Sequence, residues 1–417
     1  MLSVKRAISI SIVVSMFCSL ADASLRACDD WPQWRGPKRD GQVGGKNWPN
    51  GLQGEHLQRR WRVEMGPSYS GPLVVGDRVY VTETREKSEE VVRALDRKTG
   101  KELWHHGWKG AMTVPFFAKS NGDWIRATPA HDGDSLYVAG MRDVLVCLNA
   151  NNGEERWRVD FIEKLGTPLP AFGFVSSPVV DGDAVYVQAG ASVVRLNKKS
   201  GEILWRSARD TGGMSNSAFS SPYIAELGGK RQLLAQTREK LVGLDLASGE
   251  VLWSQTVPAF RGMNILTPVV YKDGIFTSSY GGCTTLYHIA AKDKRFSSEA
   301  AWSIKLEGYM STPVVVKKHV YMHLRNQRVA CLDLDAGKTC WTTDKPFGKY
   351  WSMVAQGENI LALDERGILY LFRATPEKFD LVDSRKIADE ETWAHLAVCG
   401  DELYVRELNA ISVYRWK

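Results

Sequence analysis

The sequence predicts an all-β fold: an eight-bladed β-propeller of four-stranded antiparallel blades, its ring closed by an N-terminal strand around Trp61 that pairs with the C-terminal blade. Three observations predict it. A turn made of Asn or Asp, a Gly four residues on and a Trp four beyond that recurs as Asp96-Gly100-Trp104, Asn149-Gly153-Trp157, Asn197-Gly201-Trp205, Asp245-Gly249-Trp253 and Asp333-Gly337-Trp341. A small residue before Pro opens successive units at Gly71-Pro72, Thr128-Pro129, Ser177-Pro178, Ser221-Pro222, Thr267-Pro268 and Thr312-Pro313. The last unit holds only three strands, while a strand at 57–65 carries Trp61 with no unit before it.

The clearest unit, 176–207, reads as four short strands in which Val and Ile alternate with polar residues, broken by Asp181-Gly182-Asp183 and Lys198-Lys199-Ser200-Gly201. In the repeated turn the Asn or Asp side chain bonds backbone ahead of it, and Gly supplies φ > 0. The Trp then stands on the outgoing strand with a large face to bury. Pro is tolerated at the first residue of a strand. The units run over 71–108, 128–161, 177–208, 221–257, 267–306, 312–344, 352–387 and 395–417. In the fifth, Ala290-Ala291-Lys292-Asp293 replaces the Gly turn although Trp302 remains, and the seventh lacks both Gly and Trp. Pairing the orphan strand with the last three removes two exposed edges. Two long insertions, 107–125 and 163–174, both lead into the first strand of the next unit, so they decorate one face, the candidate functional face.

Residues 1–23 read as a secretory signal, with Lys5 and Arg6, an apolar run at 7–20 and Ala21-Asp22-Ala23 for cleavage near Ala23. The run is too short for a comfortable transmembrane helix. Arg26 and the polar gap before it count against a lipoprotein acceptor at Cys28. Residues 24–56 form an N-terminal extension packing on the propeller of 57–417. The mature chain is then a secreted or periplasmic monomer in an oxidising compartment. Cys331 and Cys340 flank one hairpin turn and are expected to form a cross-strand disulfide; Cys28, Cys147, Cys283 and Cys399 have no pairing legible in the sequence. The net charge is +6, with Lys and Arg interspersed with Asp and Glu, a solvated surface rather than a nucleic-acid footprint.

The repeated turn, the Ser/Thr-Pro openings and the strands at 77–82 and 183–188 resemble the pyrroloquinoline-quinone-repeat, or quinoprotein-dehydrogenase-like, eight-bladed β-propellers. WPQWRGP at 31–37 looks like the start of secreted bacterial members. The resemblance implies one of two uses: a quinone-dependent dehydrogenase with calcium in the central funnel, or a non-enzymatic propeller such as the lipoprotein that assists outer-membrane β-barrel assembly. The dehydrogenases carry a vicinal disulfide over the cofactor. No adjacent cysteines occur here and no Glu, Asn and Asp calcium set matches, so no catalytic residue is carried over and no cofactor is expected.

No zinc-like spacing involves His105 or His106, and no G-x-S-x-G nucleophile elbow occurs. The candidate site is instead the set three residues before each opening Pro, or its equivalent: Tyr69, Arg126, Val175, Phe219, Ile265, Met310, Tyr350 and Trp393, with Tyr309 and Trp351 beside them. If the first strands line the axis, these ring the funnel mouth. Trp104, Trp157, Trp205, Trp253 and Trp341 recur with the unit and are assigned to packing between blades; Trp205→Ala is expected to cost about 3–5 kcal/mol. The function expected is a binding or scaffold module that recognises a protein, or a small or polymeric ligand, in the cell envelope. The alternatives are a quinone-dependent alcohol or sugar oxidoreductase and a sugar- or polymer-binding propeller.

Overall fold

The computed structural model describes residues 30–45, 47–210 and 217–417, so the signal sequence and Cys28 lie outside the described residues. Among the described residues, thirty-two strands form eight four-stranded antiparallel sheets. Blades 1 to 7 each come from one continuous stretch, 73–109, 130–160, 179–207, 223–256, 269–304, 314–342 and 351–386. Blade 8 joins the strands Ala397–Cys399, Glu402–Glu407 and Ala410–Trp416 to Leu57–Glu64, with Leu57 opposite Trp416 and Glu64 opposite Ala410. The ring is therefore closed as expected, and the core lies in apolar layers between neighbouring blades.

The repeated turn is a device for joining blades. Six indoles reach the turn of the next blade, where Nε1 donates to a carbonyl: Trp61 to Arg97, Trp104 to Ala150, Trp157 to Lys198, Trp205 to Leu246, Trp302 to Leu334 and Trp341 to Thr375, at 2.7–3.2 Å. The turn Gly takes φ of 65–76° at Gly100, Gly153, Gly201, Gly249 and Gly337. Its missing side chain also makes room, since a Cβ on Gly153 would sit 2.5 Å from the Trp104 ring. A Tyr on the second strand completes the joint: the Tyr80, Tyr137 and Tyr186 hydroxyls donate to the same three carbonyls as Trp104, Trp157 and Trp205.

Trp253 departs from the pattern. Its Nε1 donates to Gln232 of its own blade at 2.7 Å, and the ring lies over Gly243. The cause is blade 5, whose outer hairpin Thr284–Lys292 and Arg295–Ile304 turns at Asp293 and Lys294, both at positive φ, and offers no Gly shelf. Trp253 still packs between blades, with Ile275 and Tyr287.

The expected Cys331–Cys340 disulfide is corrected: both are free thiols. A bulge between Cys331 and Leu332 sets Trp341 opposite Cys331, so Cys340 is the extra residue on its strand and is exposed while Cys331 is buried.

Candidate functional site

The Ser and Thr residues before each Pro do more than open strands. The N–H of each donates to the hydroxyl of its counterpart in the next blade: Gly71 to Thr128, Thr128 to Ser177, Ser177 to Ser221, Ser221 to Thr267 and Thr267 to Thr312, at 2.9–3.2 Å. This circumferential chain satisfies inner-strand N–H groups that no ladder reaches. It also lines the neck of the axial channel.

One end of the channel is stoppered by residues 31–42. Trp31 exchanges backbone hydrogen bonds with Val74 of blade 1, and His131 of blade 2 donates to the Pro32 carbonyl. Arg39 donates to the Ser177 and Pro178 carbonyls of blade 3 and Arg35 to the Pro313 carbonyl before blade 6. Both guanidinium groups are buried without a carboxylate partner, and desolvation lowers their pKa to about 9 for Arg39 and about 10 for Arg35. Their charges flank Trp34, 5.6 and 5.5 Å from its ring centre.

Above Trp34 is a cavity of about 230 Å³, open at its other end. Its wall contains Tyr69, Arg126, Val175, Phe219, Ile265, Met310, Tyr350 and Trp393, together with Tyr309. The inner-strand approach of every blade thus delivers one residue to the same cavity. Trp351 does not reach it. Its ring is fully buried in the core of blades 6 and 7, stacked on Tyr370 at 5.0 Å and His323 at 5.7 Å. Trp351 opens the strand Trp351–Gln356 with its ring on the core side, whereas Tyr350 precedes the strand and reaches the channel. Sequence reasoning missed Trp34, Phe172, Met263 and His395 in this wall. The only signal for Trp34 was the unusual WPQWRGP run; Phe172 lies in the second insertion, Met263 in a loop outside the repeat, and His395 stands where the other units carry the small residue before Pro.

The wall has two characters. On one arc a row runs from Arg126, over Tyr69 at 5.9 Å, to Trp393 at 5.9 Å and on to Tyr350, stacked on Trp393 at 5.8 Å and 22°. The other arc is Phe172, Phe219, Met263, Ile265 and Met310. Arg126 donates to the Gly122 and Trp124 carbonyls at 2.8 and 3.3 Å, and burial lowers its pKa to about 10. Burial pushes the Tyr69 phenol up to about 12. His395, edge-on to Trp34 at 5.9 Å, is held down to about 3 by burial and is neutral. Its Nδ1 donates to the Leu396 carbonyl at 2.9 Å, and its Nε2 is buried away from solvent.

A quinone with its calcium does not fit this wall. Calcium takes six to eight oxygen ligands, carboxylates prominent among them. No Asp or Glu lines the cavity, and among the described residues no group of three or more His, Cys, Asp or Glu could hold a metal.

Comparison with known proteins agrees with this geometry. The "Outer membrane protein assembly factor BamB" of Moranella endobia is 22% identical over 84% of this chain and 88% of its own length. The protein of the same name from Yersinia pestis is 23% identical over 60% of this chain, and the chain spans 61% of that relative. The crystal structure of BamB from Moraxella catarrhalis superposes with a TM-score of 0.64 at 16% identity, covering 87% of this chain and 98% of that one, a likeness of fold. A family model described as outer membrane protein assembly factor BamB matches residues 88–343. The chain therefore belongs to the BamB family of pyrroloquinoline-quinone-repeat propellers.

Proposed function

We propose that this chain is a non-enzymatic recognition module of the cell envelope that holds a protein partner during outer-membrane protein assembly, through the open mouth of the propeller. Family membership supports the envelope scaffold role. The observation that carries the site is the asymmetry of the channel: one end is stoppered by Trp34, Arg35 and Arg39, and the other opens as an aromatic-lined cavity. The two insertions expected on one face both reach this mouth, through Ala118 and Gly122 from the first and Phe172 from the second. Large, rigid aromatic anchors at a pocket mouth are the residue types that dominate binding energy in protein interfaces. Among the described residues no helix is long and apolar enough to cross a membrane.

The test is site-specific crosslinking in the native envelope. Tyr350→Ala and Trp393→Ala should each abolish crosslinks to the outer-membrane assembly machinery, with unchanged circular dichroism. Full crosslinking by the double variant would overturn the mouth as the recognition site.

A further inference from the structure

We infer that the mouth binds an acidic protein segment along one side only, the rim of blades 3 to 6, where exposed arginines rest on aromatic rings. The inference rests on the reading of the mouth as the recognition site and adds the charge of what is recognised there.

The charge of the rim is divided by position. Two kinds of segment leave the strands at this end: the loop after each blade, which supplies the cavity wall, and the turn between a blade's second and third strands. Loop and turn are bonded together, as in the Phe260 N–H to the Tyr280 carbonyl, Phe347 to Gln327 and Thr392 to Glu365. From the exit of blade 3 to the entry of blade 7 these segments are 208–210, 217–222, 237–239, 257–268, 279–283, 305–313, 324–328 and 343–350. They carry eight Lys and Arg against four Asp and Glu. Across the mouth, over blades 7, 8 and 1, they are 365–367, 387–396, 408–409, 65–72 and 86–88. These carry two Lys and Arg against five Asp and Glu.

The basic side is open to a partner. Arg209, Arg261, Lys305, Arg325, Lys345 and Lys349 are exposed. Among the described residues only Arg325 of this set is in an ion pair, with Glu307 at 3.1 Å. The anions of this side are Glu307, Asp210, which lies against Arg238, Glu239 and Asp344, and they leave an excess of positive charge. Two of the cations are pre-oriented. Phe260, Tyr280 and Tyr309 form a row with ring centres 5.1 and 4.9 Å apart, and Tyr309 brings the row to the cavity wall. Arg325 lies over Tyr280 at 4.3 Å and Arg261 over Phe260 at 5.2 Å. Stacking uses the face of a guanidinium and leaves its fork of donors for a carboxylate.

The division of charge selects among anionic partners. A bilayer surface or a long polyanion laid across the mouth meets the acidic side as well as the basic one. A protein segment keeps its carboxylates on one side, where complementary potentials also fix its register. Phe260 is 47% exposed beside Arg261, so carboxylates interleaved with apolar side chains match the row.

Fluorescence anisotropy on the mature protein can use two blocked ten-residue peptides, one alternating Glu with Leu and one alternating Gln with Leu. The Glu peptide should bind about tenfold or more tighter at low salt, and the ratio should fall toward one near about 0.5 M salt, where exposed charges are screened. The double variant Arg261→Gln with Arg325→Gln should cut the ratio, whereas Lys87→Gln on the acidic side should leave it unchanged. Equal binding of the two peptides, or an undiminished ratio in the double variant, would overturn the inference. So would displacement of the Glu peptide by vesicles of pure phosphatidylglycerol, which assigns the rim to anionic surfaces. A salt-sensitive dimer in sedimentation equilibrium that excludes the peptide assigns the rim to a second copy and equally removes the inference. Should the Tyr350 and Trp393 variants still lose their crosslinks in any of these cases, the recognition reading stands and only the charge of the partner falls.

Discussion

Asp143 is a buried carboxylate at positive φ whose Oδ2 accepts one hydrogen bond, from the Gly190 N–H at 2.9 Å. Desolvation, with a smaller push from Asp160, raises its pKa from 3.8 to about 7. A carboxyl with a raised folded pKa binds more protons folded than unfolded, so it stabilises fully below its unfolded value. That stability is lost as pH rises from about 4 to about 7. Asp143→Asn should remove this slope: the variant gains stability relative to wild type across that window, and urea unfolding at pH 5 and pH 8 checks it. His395 and His323 act in the opposite sense, held down to about 3 and about 4 by burial, and lose stability as pH falls below the usual histidine range. The comparison of variant with wild type cancels them. At the same scale, Cys340 is exposed while burial raises the Cys331 thiol, so native alkylation should label Cys340 and spare Cys331 until the chain unfolds. Peptide mapping that finds the two bonded to each other would contradict the free pair.

Among elements, the blade joint determines which changes are costly. Trp205 donates to Leu246 of the next blade and covers Gly249, yet its ring is only half-buried. Trp205→Ala should therefore fall at the lower end of the expected range, about 3 kcal/mol, read by denaturant unfolding. An unchanged midpoint would contradict the joint. The joint was partly legible in the sequence: Asp or Asn, Gly and Trp at fixed spacing marked where blades touch. The Tyr on the second strand was not, because one aromatic among alternating apolar residues carries no distinguishing local signal. Trp253 shows the limit of the repeat. Its own residues match the pattern, but its partner turn in blade 5 does not, and a side chain's partner is decided across blades.

The whole molecule depends on one seam. Leu57–Glu64 pairs with Ala410–Trp416, and Arg406 of blade 8 donates to the Thr82 carbonyl of blade 1 at 3.2 Å. Val63→Pro would remove a ladder N–H opposite Ile411, in the phase set by the Met65 N–H that donates to the Asn409 carbonyl, within this closing strand. The expected loss exceeds about 2 kcal/mol, toward the top of the usual range for single substitutions. Calorimetry should show a lower transition, and size-exclusion chromatography should show association through the freed edge. A variant that melts like wild type would mean that the seam does not hold the ring.

Blade number, strand order and the closing partner were determined by the sequence alone, because they follow from local turn chemistry and period-two patterning repeated often enough to count. So was the ring of residues three before each Pro, since symmetry carries one local position to one place in space. Three features were decided only by the tertiary structure: that WPQWRGP enters the axis, that Trp351 turns into the core beside Tyr350, and that Arg126, Tyr69, Trp393 and Tyr350 form one row along the cavity wall. Each depends on which groups from distant blades face one another across the channel, and that is fixed only when the ring closes.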